Sequence, residues 1–228
     1  MQKSWVITID GPAGSGKSTV AQMLAARLGA VFLDTGAMYR AVTAAAMERG
    51  ADLDDAQSLQ EVMETTEFHF EHKGPLLRAL VDGRDFTDRI RDPEVTEKVR
   101  HVAGQPLLRE RLVQMQRDFA ARFPKVVAEG RDQGTVVFPQ AQWKFFLEAD
   151  VAERARRRQK DLAAAGRQIT QKELESQILS RDNSDRHRQV GPLAAAADAI
   201  HIDSTSISAQ QVVEKMLQII HGEKHGGN

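Results

Sequence analysis

Gly11-Pro12-Ala13-Gly14-Ser15-Gly16-Lys17-Ser18 has the residue types and spacing to bind a polyphosphate. Its glycines let successive backbone N–H groups turn inward around an anion. Lys17 is then placed to reach the β- and γ-phosphates, and the Ser18 hydroxyl to take a place on Mg²⁺. The apolar run Val6-Ile7-Thr8-Ile9 precedes the loop and a helical pattern follows it, which is the context the motif requires. The alternative is a glycine-rich strand-to-helix turn with no ligand, and Lys and Ser directly after the last glycine weigh against it. The loop predicts a nucleoside triphosphate and leaves open what is done with it.

Three further constellations could complete a phosphoryl-transfer site. Asp34-Thr35-Gly36-Ala37-Met38-Tyr39-Arg40 could bring Thr35 and Arg40 onto an acceptor's phosphate. A helix cap at Thr35 with a solvated Arg40 explains the same spacing. Glu129-Gly130-Arg131-Asp132-Gln133-Gly134 ends an apolar run with two acids and an arginine, which are costly there unless a charged ligand or metal compensates them. Glu129 could hold Mg²⁺ through water while Arg131 and Asp132 face the substrate; a self-satisfied ion pair is the alternative. The third is a helix starting at Thr170, with Glu173 as its capping-box partner. Its inward stripe reads Leu174, Ile178, Arg181, Asp185, Arg188, so an apolar seam runs straight into an Arg-Asp-Arg row. That row is expected to point into an anion-binding cleft, with surface salt bridges as the alternative.

The basic run Glu153-Arg154-Ala155-Arg156-Arg157-Arg158-Gln159-Lys160, followed by Gly166, suits a lid that closes arginines onto a transferring phosphoryl group. A nucleic-acid patch is the competing reading, and a formal net charge of −1 argues against it. His69 and His72 read as strand-surface histidines rather than metal ligands, and Met23, Met38, Met47, Met63 and Met115 as core fillers.

These residues need a scaffold. At 228 residues, 41% hydrophobic and 28% charged, the chain is long enough for a substantial core. It has no cysteine, which excludes disulfides, thiolate metal sites and cysteine catalysis. No apolar run approaches a membrane span and residues 1–9 lack a signal-peptide pattern, so a cytoplasmic enzyme is expected. Val31-Phe32-Leu33, Val126-Val127-Ala128, Lys144-Phe145-Phe146-Leu147 and Ala199-Ile200-His201-Ile202 are further strand candidates. The first, second and last end in Asp34, Glu129 and Asp203. A helix with Val20, Leu24 and Leu28 on one face stops at Gly29, and the last helix starts at Ser208 with Gln211 as its capping partner. Short apolar strands alternating with helices predict a parallel sheet covered on both faces, with ligands at the strand C-termini. Residues 65–92 break the rhythm: Phe68-His69-Phe70 and Leu76–Val81 flank Lys73-Gly74-Pro75, and Asp82-Gly83 is a turn signal, so a small antiparallel insert is expected.

The ordered set GPAGSGKST, LDTGAMYR, EGRDQGTVVFP, ERARRR and RDNSDRHR resembles the bacterial cytidylate kinases, the (d)CMP kinases of the nucleoside monophosphate kinase superfamily. The similarity runs from about Val6 to Ile220. It implies an α/β P-loop nucleoside monophosphate kinase fold: a five-stranded parallel sheet flanked by helices, a small antiparallel insert and a helical lid. The expected organisation is a single kinase domain over residues 1–221, with the monophosphate-binding insert at about 64–105, the lid at about 154–170 and a flexible tail at 222–228.

The resemblance also implies roles. Gly11 to Thr19 would bind ATP, with Ser18 and, through water, Glu129 on Mg²⁺. Thr35, Tyr39, Arg40, Arg100, Arg109, Arg131, Asp132, Arg181, Asp185 and Arg188 would bind CMP or dCMP. Asp132 would lie beside the cytosine. Lys17, Arg131, Asp132 and the lid-side Arg157 and Arg158 would serve catalysis, with Arg154 in the same lid-side region. Alignment on Pro93-Glu94-Val95 puts Arg100 where a member of the family has a cytosine-contacting Ser, and Arg supplies donors but no acceptor. Glu129 stands where some members carry Asp. The implied reaction moves the ATP γ-phosphoryl group to CMP or dCMP, in a monomer that engages neither nucleic acid nor membrane. A kinase of UMP or of a non-nucleotide metabolite is the nearest alternative. A P-loop nucleotide switch is more distant, since no Asn-Lys-x-Asp or Thr-Lys-x-Asp guanine-reading motif is present.

Overall fold

The computed structural model describes residues 4–222 apart from 75, 165 and 167. Pro75 of the expected turn, two positions of the expected lid and residues 223–228 of the expected tail lie outside the described residues. Gly222, assigned above to the tail, instead closes the last helix.

Five strands form a parallel sheet: β1 (Trp5–Asp10), β2 (Val31–Asp34), β6 (Lys125–Gly130), β7 (Trp143–Glu148) and β8 (Ile200–Asp203), in the order β2-β6-β1-β7-β8. Alternate residues of these apolar runs face opposite sides, and both sides are covered. Val126 and Ala128 face one core and Val127 the other. The first core lies under α2 (Thr35–Glu48), α3 (Ala56–Thr65), α4 (Pro93–Ala103) and α5 (Pro106–Ala121). The second lies under α1 (Lys17–Leu28) and α8 (Ala209–Gly222). Val20 and Leu24 of α1 and Met216 of α8 are fully buried there, each contributing about 2 kcal/mol of apolar burial. Gly29 ends α1 in the left-handed conformation, as its position predicts.

The insert is antiparallel, as expected: β3 (Phe68–Lys73), β4 (Leu76–Val81) and the short β5 (Arg84–Asp85). Phe70, Leu77, Ala79 and Val81 join the first core, so the insert is anchored to the sheet's helical layer. His69 lies 3.5 Å from Glu71, and the His72 ring meets Phe123 edge-on. Met38 and Met63 are core residues, and Met23, Met47 and Met115 pack against the cores. A hairpin of α6 (Val151–Ala164) and α7 (Gln171–His187) has its own small cluster of Ala155, Leu174 and Ile178. No described helix is long and apolar enough to cross a membrane.

Register places the chemistry. Asp10 pairs with Gly130 and Asp34 with Glu129, so β1, β2 and β6 present their acidic ends side by side. The chain leaves β1 to one side of the sheet and leaves β6 to the other. That reversal opens a crevice at the strand C-termini.

Candidate active site

The loop after β1 is shaped as its glycines require. Gly14 and Gly16 have φ of 77° and 89°, and a Cβ at Gly11 would overlap the Leu147 carbonyl oxygen. Lys17 is buried and folds back onto its own loop, donating to the Pro12 carbonyl at 2.6 Å and to the Ser15 Oγ at 3.3 Å. Burial, then the nearby Arg131 guanidinium, push its pKa down to about 7. The Ser18 hydroxyl donates to Glu129 Oε1 at 2.8 Å, and Thr19 is exposed on the first turn of α1. Burial, then the Asp34 carboxylate, raise the pKa of Glu129.

Ser18 and Glu129 fit a hard cation. Both offer oxygen, and they already meet across the mouth of the loop. That suits Mg²⁺, which is held by one or two protein oxygens together with substrate phosphates rather than by an all-protein cage.

A second cavity of about 700 Å³ opens beside the loop, between α2, α4, the end of β6 and α7. Asp34 builds its entrance by capping α2 through the Ala37 N–H at 2.8 Å and pairing with Arg40 at 2.9 Å. The cap is thus Asp34, not Thr35. Thr35 instead donates to the Glu129 carbonyl at 2.7 Å, which locks the start of α2 to β6. Arg40 lines the cavity and is only partly exposed.

The floor holds a buried Arg109–Asp132 ion pair, with the Arg109 guanidinium 5.5 Å from the centre of the Tyr39 ring. Burial raises the Asp132 pKa against the pull of Arg109 and Arg188. Burial likewise lifts the Tyr39 hydroxyl to about 12. Arg131 pairs with Asp185 at 2.9 Å. Arg188 lies 3.7 Å from Asp185 and 3.9 Å from Asp132, and it caps α7 in an extended conformation. The predicted stripe therefore runs one residue past the helix. Arg181 lines the cavity and makes no ion pair among the described residues. Burial, then Arg131, bring its pKa down to about 10.

Arg100 and Arg158 also line this cavity. The other two lid-side arginines are engaged elsewhere. Arg154 is buried and donates to the Ala149 and Ala13 carbonyls and to Asp182. Arg157 pairs with Glu153 at 2.8 Å and reaches the Ser15 carbonyl and Ser204, so it sits against the phosphate loop.

Two carboxylates escaped the motif reading. Asp10 accepts from the Gln133 and Gly134 N–H groups, each at 2.8 Å, and so fixes the loop after β6 to the end of β1. Burial lifts its pKa to about 7 against those two bonds. Its position directly before Gly11, closing an apolar run, was the available signal. Asp182 is buried against the phosphate loop, and the signal was the unbroken four-residue step from Leu174 through Ile178.

A model of the cytidylate kinase family matches residues 7–222. Three known proteins described as cytidylate kinase are similar to the chain along nearly its whole length. That from Carboxydothermus hydrogenoformans is 44% identical over 214 residues, covering 94% of this chain and 96% of that protein. For Pediococcus pentosaceus the identity is 43% over 220 residues, covering 96% and 97%. For Pelotomaculum thermopropionicum it is 46% over 212 residues, covering 92% and 93%.

Proposed function

The chain belongs to the cytidylate kinase family, and on that premise we propose that it transfers the γ-phosphoryl group of ATP to CMP or dCMP, giving ADP and CDP or dCDP. One observation carries the site assignment: among the described residues, the cavity beside the phosphate loop is lined by eight arginines against three carboxylates. Such an excess, with Arg181 semi-buried and unpaired by any described carboxylate, is stabilised by an anion of multiple charge. The phosphate loop is then the donor half of the site and this cavity the acceptor half.

The acceptor phosphate enters among Arg40, Arg131 and Arg181, nearest the loop, and the base reaches toward the Arg109–Asp132 pair. An ionised Asp132 accepts from an exocyclic amine, and Arg109 and Arg188 add donors beside it. Arg100 supplies donors only, at the α4 wall.

A phosphate oxygen of CMP, already anionic, attacks the γ-phosphorus. The bond from that phosphorus to the β,γ-bridging oxygen breaks, and ADP leaves with the electron pair. No base is needed to create the nucleophile, so positioning and charge neutralisation supply the catalysis. Lys17 leaves the Pro12 carbonyl for the β- and γ-phosphates, and Arg131 and Arg158 face the charge that spreads over the transferring group. Bound Mg²⁺, held by Ser18 and through water by Glu129, would neutralise charge on the β- and γ-phosphates. The test is ADP release across CMP, dCMP, UMP, AMP and shikimate. Cytosine nucleotides are expected to lead in kcat/KM by about 100-fold. A lead for any other acceptor contradicts the assignment.

A further inference from the structure

Among the described residues, Ala13 is the one residue of the phosphate loop whose backbone N–H and C=O are both taken by side chains of the α6–α7 hairpin. Its N–H donates to Asp182 Oδ1 at 3.2 Å, and its carbonyl accepts from Arg154 Nη1 at 3.0 Å. The same Arg154 nitrogen donates to Asp182 Oδ2 at 2.5 Å, which closes a ring of three hydrogen bonds around one residue. Arg154 also anchors its own helix by donating to the Ala149 carbonyl at 2.9 Å. Both side chains are buried, at 5% and 7% exposure. Gly14 completes the contact, because a Cβ there would come within 3.3 Å of the Arg154 Cβ.

A buried ion pair is not needed for hydrophobic stability, and an apolar pair of similar volume commonly serves as well. Polar satisfaction of Ala13 does need these groups, since its buried N–H and C=O have no strand or helix partner. We propose that Arg154 and Asp182 are positioning residues for ATP: they set the orientation of the phosphate loop from the hairpin whose neighbouring residues Arg181 and Asp185 face the acceptor. The inference rests on the loop being the ATP-binding half of the site. Asp182 occupies the Ala13 N–H, so the cradle is left to the amides beyond it. Arg154 cancels the carboxylate charge that would otherwise repel a triphosphate.

The decisive variant is the double substitution Arg154→Met with Asp182→Leu, which removes one positive and one negative charge and keeps the volume. It leaves local net charge unaltered, so a loss of ATP binding reports the loop's placement. The Kd for the β,γ-imido analogue of ATP is expected to rise about 10-fold and kcat to fall by at least as much, while the CMP KM stays within about twofold. The Tm is expected to fall by several degrees, because Ala13 N–H and C=O lose their partners, while the protein stays folded. Asp182→Asn retains an acceptor for Ala13 N–H but strands Arg154, and a smaller loss of about 3-fold or more in kcat is expected. This single variant decides the matter if the double one does not fold. Analogue binding and kcat within twofold of wild type in a folded variant overturn the proposal. So does an equal loss of CMP affinity, which marks a general structural role. Analogue binding is read without CMP, so failure of CMP as acceptor would count against the function and leave this test standing.

Discussion

Lys17, proposed to meet a triphosphate, lies buried with its pKa drawn down to about 7 by burial and by Arg131. Its ordinary value is 10.5, so between these limits the free protein holds it largely neutral. A bound triphosphate restores the charged form, and ATP binding at about pH 8.5 is expected to take up close to one proton. Calorimetric titration in two buffers of different ionisation enthalpy reads this directly, and Lys17→Ala should abolish the uptake while lowering kcat about 100- to 1,000-fold. Equal proton numbers in both proteins would refute the account. Asp10 runs the other way: its pKa rises from 3.8 to about 7 on folding. Its contribution to stability is therefore full below its unfolded pKa and lost as pH rises through the folded one, by up to about 4 kcal/mol. Urea midpoints should show wild type losing ground to Asp10→Asn between about pH 4.5 and pH 8. Arg188→Ala is expected to raise the CMP KM about 10-fold or more with the ATP KM little changed, because Arg188 borders Asp132 and Asp185 rather than the phosphate loop. A raised ATP KM would put Arg188 on the wrong nucleotide.

At the level of elements, three strand ends were legible because their apolar runs stop at Asp34, Glu129 and Asp203, and a parallel sheet aligns such ends at one edge. The reach of α7 was half legible. Arg181 and Asp185 continue the apolar seam into the cavity, while Asp182, four residues after Ile178, continues it toward the phosphate loop. Arg154 was legible only as one of a basic lid-side run, and its burial against the phosphate loop was not. Only folding brings Asp182, distant in sequence, onto it. The segment after α7 was silent in the motifs. Gly191 there has φ of 57°, and its backbone lies against the Arg109–Asp132 pair, which a Cβ would overlap. Gly191→Ala is expected to cost about 1–3 kcal/mol and to raise the CMP KM about 10-fold, with the ATP KM within twofold. Steady-state kinetics with each substrate varied in turn will check this. An unchanged CMP KM would show that the loop is free to move away.

Across the whole molecule, two cores grip the sheet from opposite faces and leave the strand C-termini open, where the α6–α7 hairpin covers the phosphate loop and the cavity together. A chain of net charge −1 thereby concentrates eight of its described arginines around one cavity. Composition averages that concentration away, which is why the motifs carried more than the charge balance did. The central claim is that two nucleotides sit in adjoining halves of one site and exchange a phosphoryl group without intermediate capture. A single turnover with γ-labelled ATP and excess CMP, quenched and separated by anion exchange, tests it most directly. The label should appear in CDP at the rate at which ATP is lost. Label in inorganic phosphate or on the protein, with CMP unchanged, would contradict the account.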